Sequence, residues 1–145
     1  MADKTLTAAN SVYMLTIRNL FPAPQQLQGF AADDAFSAET VQPSEVVMGV
    51  DGIMSAGWLP VMTPQQISLQ ADSASADIFD AWHAAMKVAR ELYFADALIS
   101  LPALGKSYVL TRGALTSYTS IVGVKKILQP RTFTITWNTV AAVPL

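Results

Sequence analysis

The chain has 145 residues, enough for one domain or for one domain with arms. Hydrophobic residues make up 52% and charged residues only 14% of it, against about 25% charged in typical soluble domains. This composition excludes intrinsic disorder and indicates apolar surface that meets another chain. Cysteine is absent and His83 is the only histidine, which excludes disulfides, thiolate metal sites and His-pair zinc motifs.

The first half of the chain has a mainly β pattern. Residues 11–18 predict a strand with Tyr13, Leu15 and Ile17 on one face, which ends at the prolines of residues 21–24. Residues 35–42 and 45–50 predict further strands. We interpret residues 43–64, with an Asp-Gly turn at 51–52, as a long hairpin or extended loop. Residues 65–71 alternate like a half-buried strand.

One helix is predicted at about residues 75–94, with Ser75 as its N-cap. Its apolar stripe consists of Ile78, Trp82, Ala85, Met86, Ala89, Leu92 and Tyr93. The polar face consists of Asp80, His83, Lys87, Arg90 and Glu91.

The strand pattern returns after the helix. We predict strands at residues 97–101, 107–111, 115–128 and 131–137, the last with Phe133, Ile135 and Trp137 on one face and three threonines on the other. The uncharged tail, residues 140–145, is expected to dock on a neighbour. The predicted fold class is mainly β, a β-sandwich or partly rolled barrel with one flanking helix, in a single domain over residues 1–145 with arms at both termini.

The charges divide the chain into two parts of opposite sign. Residues 1–96 hold all eleven acidic residues and four basic ones, a net −7, whereas residues 97–145 hold five basic residues and no acid, a net +5. The two parts neutralise each other within one copy, or they are complementary between copies packed head to tail. The overall charge of −2 gives no global attraction to nucleic acid.

No catalytic constellation is present. The sequence lacks a P-loop, a dinucleotide-binding glycine motif and a nucleophile elbow. Asp77 and Asp80 are one helical turn apart, and with His83 they are the only candidates for acid–base chemistry; a solvated carboxylate pair is the simpler interpretation. Lys125 and Lys126, with Arg112 and Arg131, form a candidate phosphate patch without interleaved aromatic residues. We expect no enzyme activity, no metal and no cofactor.

The segment 43–64 is unusually apolar for a loop. It folds onto its own core, or it covers a neighbouring subunit, and the apolar composition favours the second alternative. The candidate inter-subunit residues are Val46, Val47, Met48, Met54, Trp58, Leu59 and Met62.

The order of these segments resembles the tail tube (inner tube) proteins of contractile-tailed bacteriophages. The likeness is carried by Met48-Gly49-Val50-Asp51-Gly52, by Gly57-Trp58, by the polar strand of residues 65–75 that leads into the helix, and by residues 125–128 and 133–137. It covers about residues 35–138, most of the chain.

The resemblance implies a subunit that forms hexameric rings stacked into a hollow tube. DNA passes through the lumen without sequence-specific binding, and the partners are other copies of the chain and the tail sheath, baseplate and tape-measure proteins. The location is the virion tail after synthesis in the host cytoplasm; the sequence shows no targeting segment and no apolar run long enough to span a membrane. The resemblance assigns Asp80, Lys87, Arg90 and Glu91 to a sheath-facing surface and Asp33, Asp34 and Glu39 to the lumen.

Other functions remain open at this point. A tube terminator, a baseplate ring or the tube of a non-contractile tail shares the implied fold. A monomeric β-barrel that binds an apolar ligand between Trp82, Tyr108 and Phe133 is the alternative from a different class. An enzyme using Asp77, Asp80 or His83 is the third.

Overall fold

A computed structural model describes residues 11–28, 30 and 36–144. In this part of the chain nine strands and one α-helix are present, which confirms the mainly β fold with one helix. Their order is β1 (Val12–Ile17), β2 (Phe21–Gln26), β3 (Phe36–Ala38), β4 (Ser44–Met48), β5 (Met54–Trp58), β6 (Thr63–Leu69), α1 (Ala76–Ala89), β7 (Ala95–Leu101), β8 (Lys106–Tyr118) and β9 (Arg131–Pro144). Within the described residues, no helix combines the length and the apolarity that crossing a membrane requires.

Seven strands form one antiparallel sheet in the order β2-β1-β7-β8-β9-β6-β3, and β4 and β5 form a separate two-stranded sheet. Three strands lie between β1 and β6 in the large sheet. Nevertheless the Tyr13 hydroxyl of β1 donates a hydrogen bond of 2.7 Å to Oε1 of Gln65 in β6. This direct contact requires the sheet to curl, so the fold is a partly rolled barrel.

The concave face of the curled sheet holds the hydrophobic core. The alternation predicted for β1, β6 and β9 is confirmed, because the predicted inward residues are buried and the residues between them are not. Two polar residues, Gln65 and Arg131, are also buried on these inward faces. Aromatic residues from three elements stack in the centre, and the rings of Phe79 and Phe133 lie parallel with centroids 4.3 Å apart. The largest fully buried side chains are Trp82, Trp137, Tyr13, Phe79, Phe133, Leu15, Ile17, Ile67, Leu69 and Ile135.

Helix α1 covers the core but is shorter than predicted. It ends at Ala89, and Arg90 takes a left-handed conformation (φ 57°) with its N–H bonded to the Met86 carbonyl. The predicted stripe is therefore wrong at Leu92, which is exposed, and at Ala89; it also omitted Phe79, which is buried. Ser75 is the N-cap, but its hydroxyl accepts the N–H of Gln28 at 2.7 Å and makes no cap bond to the helix.

The first strand ends before the prolines of residues 21–24, as predicted, but these residues belong to a second strand, β2, that the sequence did not predict. Strand β2 lies at the edge of the sheet and pairs only with β1 within the described residues. Proline lacks an N–H donor, and an edge strand needs donors on one side only, so Pro22 and Pro24 are tolerated here.

The predicted boundary between the last two strands is also wrong. Strand β8 ends at Tyr118, and residues 119–130 form a connecting loop instead of a strand. Strand β9 extends through the tail to Pro144, where it pairs with Lys106 of β8, and docking of the tail on a neighbour stays a prediction.

Candidate assembly interface

Strands β4 and β5 form a hairpin that pairs with no other strand among the described residues. Their register places Ser44 opposite Trp58, Val46 opposite Ala56 and Met48 opposite Met54. Cross-strand partners share a face, and faces alternate along each strand. One face of the hairpin, which we call the apolar hairpin face, therefore carries Val46, Met48, Met54, Ala56 and Trp58.

The hairpin tip is ordered by local hydrogen bonds. The Gly49 N–H donates to the Ile53 carbonyl at 2.9 Å, and the Ile53 N–H donates to the Asp51 carboxylate at 3.1 Å. Gly52 has φ +82°, which favours glycine at this position. At the base, the Leu59 N–H donates to the Pro43 carbonyl at 2.9 Å. The hairpin is a defined structure with a closed tip and base.

Every residue of both hairpin strands is exposed. Six of the seven candidate inter-subunit residues, all but the half-buried Leu59, are exposed, and Trp58 is 79% exposed. An isolated two-stranded hairpin is at best marginally stable in water, and a contiguous exposed apolar surface usually marks an interaction site. The arrangement is suited to binding another protein surface; these residues stay predictions as interface residues.

The proposed sheath-facing residues lie in two different environments. Lys87, Arg90 and Glu91 are exposed at the C-terminal end of α1, beside the exposed apolar side chains of Val88 and Leu92. Asp80 instead faces the barrel, where it binds a residue of β9.

Asp80 and Arg131 form an ion pair between α1 and the start of β9. The guanidinium donates to the carboxylate from Nη2 at 2.6 Å and from Nη1 at 3.2 Å, and the Tyr118 hydroxyl also donates to Asp80. Arg131 is buried, and its hydrogen bond holds the pKa of the Asp80 carboxyl below its usual range. The predicted solvated pair with Asp77 is therefore wrong.

Among the predicted catalytic groups, Asp80 and His83 both contact Tyr118, whereas the predicted phosphate-binding groups lie in different environments. The His83 ring stacks on Tyr118 with centroids 4.3 Å apart, a packing contact. Of the basic patch, Arg131 is buried, Arg112 lies over the Phe94 ring at 4.7 Å, and Lys125 and Lys126 are exposed on the loop. A four-residue phosphate patch does not form from these side chains.

The expected ligand pocket does not form either, because Trp82 and Phe133 are fully buried in the core. Tyr108 lines a separate cleft of about 310 Å³ with Phe36, Leu101 and Val140.

Two of the three lumen candidates, Asp33 and Asp34, lie outside the described residues. The third, Glu39, is exposed just after β3, and its N–H donates to the Pro64 carbonyl at 2.9 Å.

Sequence reasoning missed a second exposed apolar surface. Ile121, Val124, Ile127 and Leu128 were assigned to a strand, but they are exposed on the loop that joins β8 to β9. Ser120, Gly123 and Pro130 in this segment were the available signal for a loop.

Comparisons with known proteins agree with this architecture. A family model described as "Tail fiber protein gp32" matches residues 4–141. No curated protein sequence matches the chain.

Several solved structures share the fold. One is a chain from the sheath/tube terminator of the PVC extracellular contractile injection system in the extended state. Its sequence is 12% identical to this one, the TM-score is 0.69, and the match covers 99% of each chain. The PVC sheath–tube complex is 13% identical with a TM-score of 0.62, over 92% of this chain and 88% of that one. A chain from the anti-feeding prophage baseplate is 12% identical with a TM-score of 0.64, and the match covers 99% of this chain and 98% of that one. At this identity the likeness establishes a common fold.

Proposed function

The chain belongs to the tail fiber protein gp32 family, and from that premise we propose that it is a structural subunit of a contractile-type phage tail. It assembles with copies of itself into rings, six subunits each, that stack into the inner tube. The observation that carries this proposal is the fully exposed apolar hairpin on a fold that tube, terminator and baseplate components also have.

The hairpin supports self-assembly because the described part of the chain offers it no intramolecular partner. No described residue of the same chain covers its apolar face, and burying large side chains such as Trp58 against a second molecule stabilises by about 1.5–3 kcal/mol each. In a ring or stack, every subunit would cover the hairpin of another. The proposed interface residues are the seven predicted from the sequence.

A conduit for DNA is supported by the convex face of the sheet. Along β6 and the first half of β9 this face carries Pro64, Gln66 and Ser68 beside Thr132, Thr134 and Thr136, in register across the two strands. None of these side chains is charged, so such a surface would not hold phosphates electrostatically. Glu39, and by the sequence prediction Asp33 and Asp34, would add negative charge that repels DNA from the wall.

The remaining partners are proposed on the same basis. The exposed C-terminal end of α1, with Lys87, Arg90, Glu91 and the apolar Val88 and Leu92, is the proposed sheath-facing surface. Baseplate and tape-measure proteins would meet the ends and the lumen of the tube, and the protein would reside in the virion tail.

A tube terminator or baseplate ring is the second candidate, because structures of both classes share the fold as fully as the sheath–tube complex does. The family description, a tail fiber protein, is also consistent with a role elsewhere in the tail apparatus. Long tubes from the purified protein favour a tube subunit, whereas single rings that do not elongate favour this second candidate.

The test is negative-stain electron microscopy of the purified protein over a concentration series. We expect hollow rings or tubes from the wild type. Trp58→Asp and Met54→Asp, both on the apolar hairpin face, should abolish them and leave a folded monomer, because a buried unpaired carboxylate is strongly unfavourable in an interface.

The matched control is Val88→Asp, which places the same carboxylate at an exposed apolar position on α1. Its tubes should be normal, since the sheath is absent. A wild type that stays monomeric at high concentration would contradict self-assembly.

A further inference from the structure

The loop between β8 and β9, residues 119–130, is an ordered surface. The Gln129 N–H donates to the Gly123 carbonyl at 2.9 Å, and Val124 and Leu128 form an isolated bridge. The loop is therefore closed on itself, and it holds Ile121, Val124 and Ile127 in solvent at 76–78% exposure.

The base of this loop is fixed to the barrel. Arg131 donates from Nε at 3.1 Å and from Nη2 at 2.8 Å to the Thr119 carbonyl, while its guanidinium also binds Asp80 of the helix. The hydroxyl of Thr119 donates to the Thr132 carbonyl at 2.8 Å. A surface held in this way loses little conformational entropy when a partner binds.

The loop and the hairpin leave the sheet at opposite ends of β6. The hairpin leads into Thr63, the first residue of β6. At the other end of that strand, Leu69 pairs with Arg131, the residue that follows the loop. A strand of this length extends about 20 Å, so the hairpin segment and the loop join the sheet about 20 Å apart.

The two surfaces carry opposite charges. The hairpin, residues 44–58, contains Glu45 and Asp51 and no lysine or arginine. Residues 119–130 contain Lys125 and Lys126 and no acid. Opposite charges around apolar surfaces favour association of these two surfaces with each other and disfavour association of either with itself.

We propose that the hairpin of one copy docks on the 119–130 loop of the next copy. This inference rests on the proposed function, because it names the surface that receives the hairpin in the assembly. The contact is head to tail, so each subunit offers a hairpin at one end and a loop at the other, and the contact repeats along a stack of rings. The apolar hairpin face covers Ile121, Val124 and Ile127, and Lys125 and Lys126 lie beside the acidic residues of the hairpin segment.

The chain contains no cysteine, so disulfide cross-linking can test this contact without background. Met48→Cys on the hairpin and Val124→Cys on the loop are purified separately, mixed under assembly conditions and oxidised. We expect a disulfide dimer from the mixture and none from either variant alone. A chain that carries both cysteines should give a ladder of higher multimers on a non-reducing gel.

The matched control replaces Val124→Cys by Val88→Cys, which is equally exposed on the helix, and should give no mixed dimer. A Met48→Cys homodimer with no mixed dimer would show that hairpins pair with each other, and would overturn the proposal.

Charge reversal gives an independent readout. Lys125→Glu with Lys126→Glu should raise the protein concentration needed for assembly several-fold, and adding Glu45→Lys should lower it again. Lys87→Glu on the helix is the control and should leave it unchanged.

The failure of this inference is distinguishable from that of the proposed function. If wild-type protein forms no rings or tubes, both are overturned. If normal tubes form but Val124→Asp also forms them, and no mixed disulfide appears, the subunit is a tail assembly protein and only the hairpin–loop contact is overturned.

Discussion

Gln65 is the residue that joins three strands inside the barrel. Its side-chain oxygen accepts hydrogen bonds from the Tyr13 hydroxyl at 2.7 Å and from the Trp137 indole at 3.0 Å. Burial raises the pKa of the Tyr13 phenol, so its hydroxyl remains a donor at neutral pH. A buried polar residue among apolar ones is acceptable here because both buried donors have a partner.

Replacing this oxygen leaves two buried donors unsatisfied. We expect Gln65→Leu to lower the free energy of unfolding by about 2–4 kcal/mol, measured by urea denaturation monitored by circular dichroism. Gln66→Leu, on the exposed side of the same strand, is the control and should change it by less than about 0.5 kcal/mol. Equal effects would show that the hydrogen bonds to Gln65 contribute nothing to stability.

At the scale of elements, the contact between α1 and the sheet has a polar and an apolar part. Phe79 and Trp82 enter the core, and the Trp82 indole donates to the Tyr93 carbonyl at 2.8 Å. On the other flank, the ion pair of Asp80 and Arg131 connects the helix to β9 and to the base of the 119–130 loop.

The ion pair predicts how stability depends on pH. Because the pKa of Asp80 is lowered in the folded protein, the carboxylate stabilises the fold at pH values above the ordinary aspartate pKa of about 3.9. That contribution is lost as the pH falls below this value, through the lower pKa of the folded state. Asp80→Asn should therefore lower the free energy of unfolding by about 1–2 kcal/mol at pH 7 and by much less at pH 2.5. We expect a value near the low end of this range because the carboxylate is partly exposed.

Urea denaturation at the two pH values, in the monomeric Trp58→Asp background, measures this difference. The control is Asp77→Asn, which changes an exposed carboxylate on the same helix. It should not lower the free energy of unfolding comparably at pH 7. If Asp80→Asn lowers the free energy of unfolding by the same amount at both pH values, the charge of Asp80 does not stabilise the fold.

In the molecule as a whole, the hydrophobic core of the barrel does not include the hairpin. The core cluster of the described residues draws on β1, β6, β7, β8, β9 and α1 and on no residue of β4 or β5. The described core therefore draws its buried apolar contacts from the barrel and its helix and not from the hairpin, as the proposed assembly role of the hairpin requires.

This separation predicts that the hairpin can be removed. Replacing residues 45–57 by Asn-Gly joins the cross-strand neighbours Ser44 and Trp58 by a two-residue turn. We expect a monomer whose free energy of unfolding lies within about 1 kcal/mol of that of the Trp58→Asp monomer, measured by urea denaturation and size-exclusion chromatography. A chain that no longer folds would show that the hairpin belongs to the folding unit.

Much of the fold was predictable from local patterns. The alternation in β1, β6 and β9 has a period of two and reports which side chains are buried, whatever the rest of the chain does. The helix was predicted at its correct start, but its end depended on Arg90 adopting a left-handed conformation, and its buried face on Phe79 meeting Phe133. The strand that contains the prolines, β2, was not predicted because the sequence does not say which strand lies at an edge.

The sequence by itself determined the class of the protein: mainly β, one helix, no catalytic constellation, and an apolar segment at residues 43–64. Only the tertiary structure decided that Asp80 pairs with Arg131 and not with Asp77, that residues 119–130 form an exposed loop, and that this loop and the hairpin lie at opposite ends of one strand. The physical reason is the separation along the chain of the residues that interact. Alternation and turn residues act between neighbours in the chain, whereas ion pairs, edges and exposed surfaces depend on residues that are distant in sequence and meet only when the sheet curls.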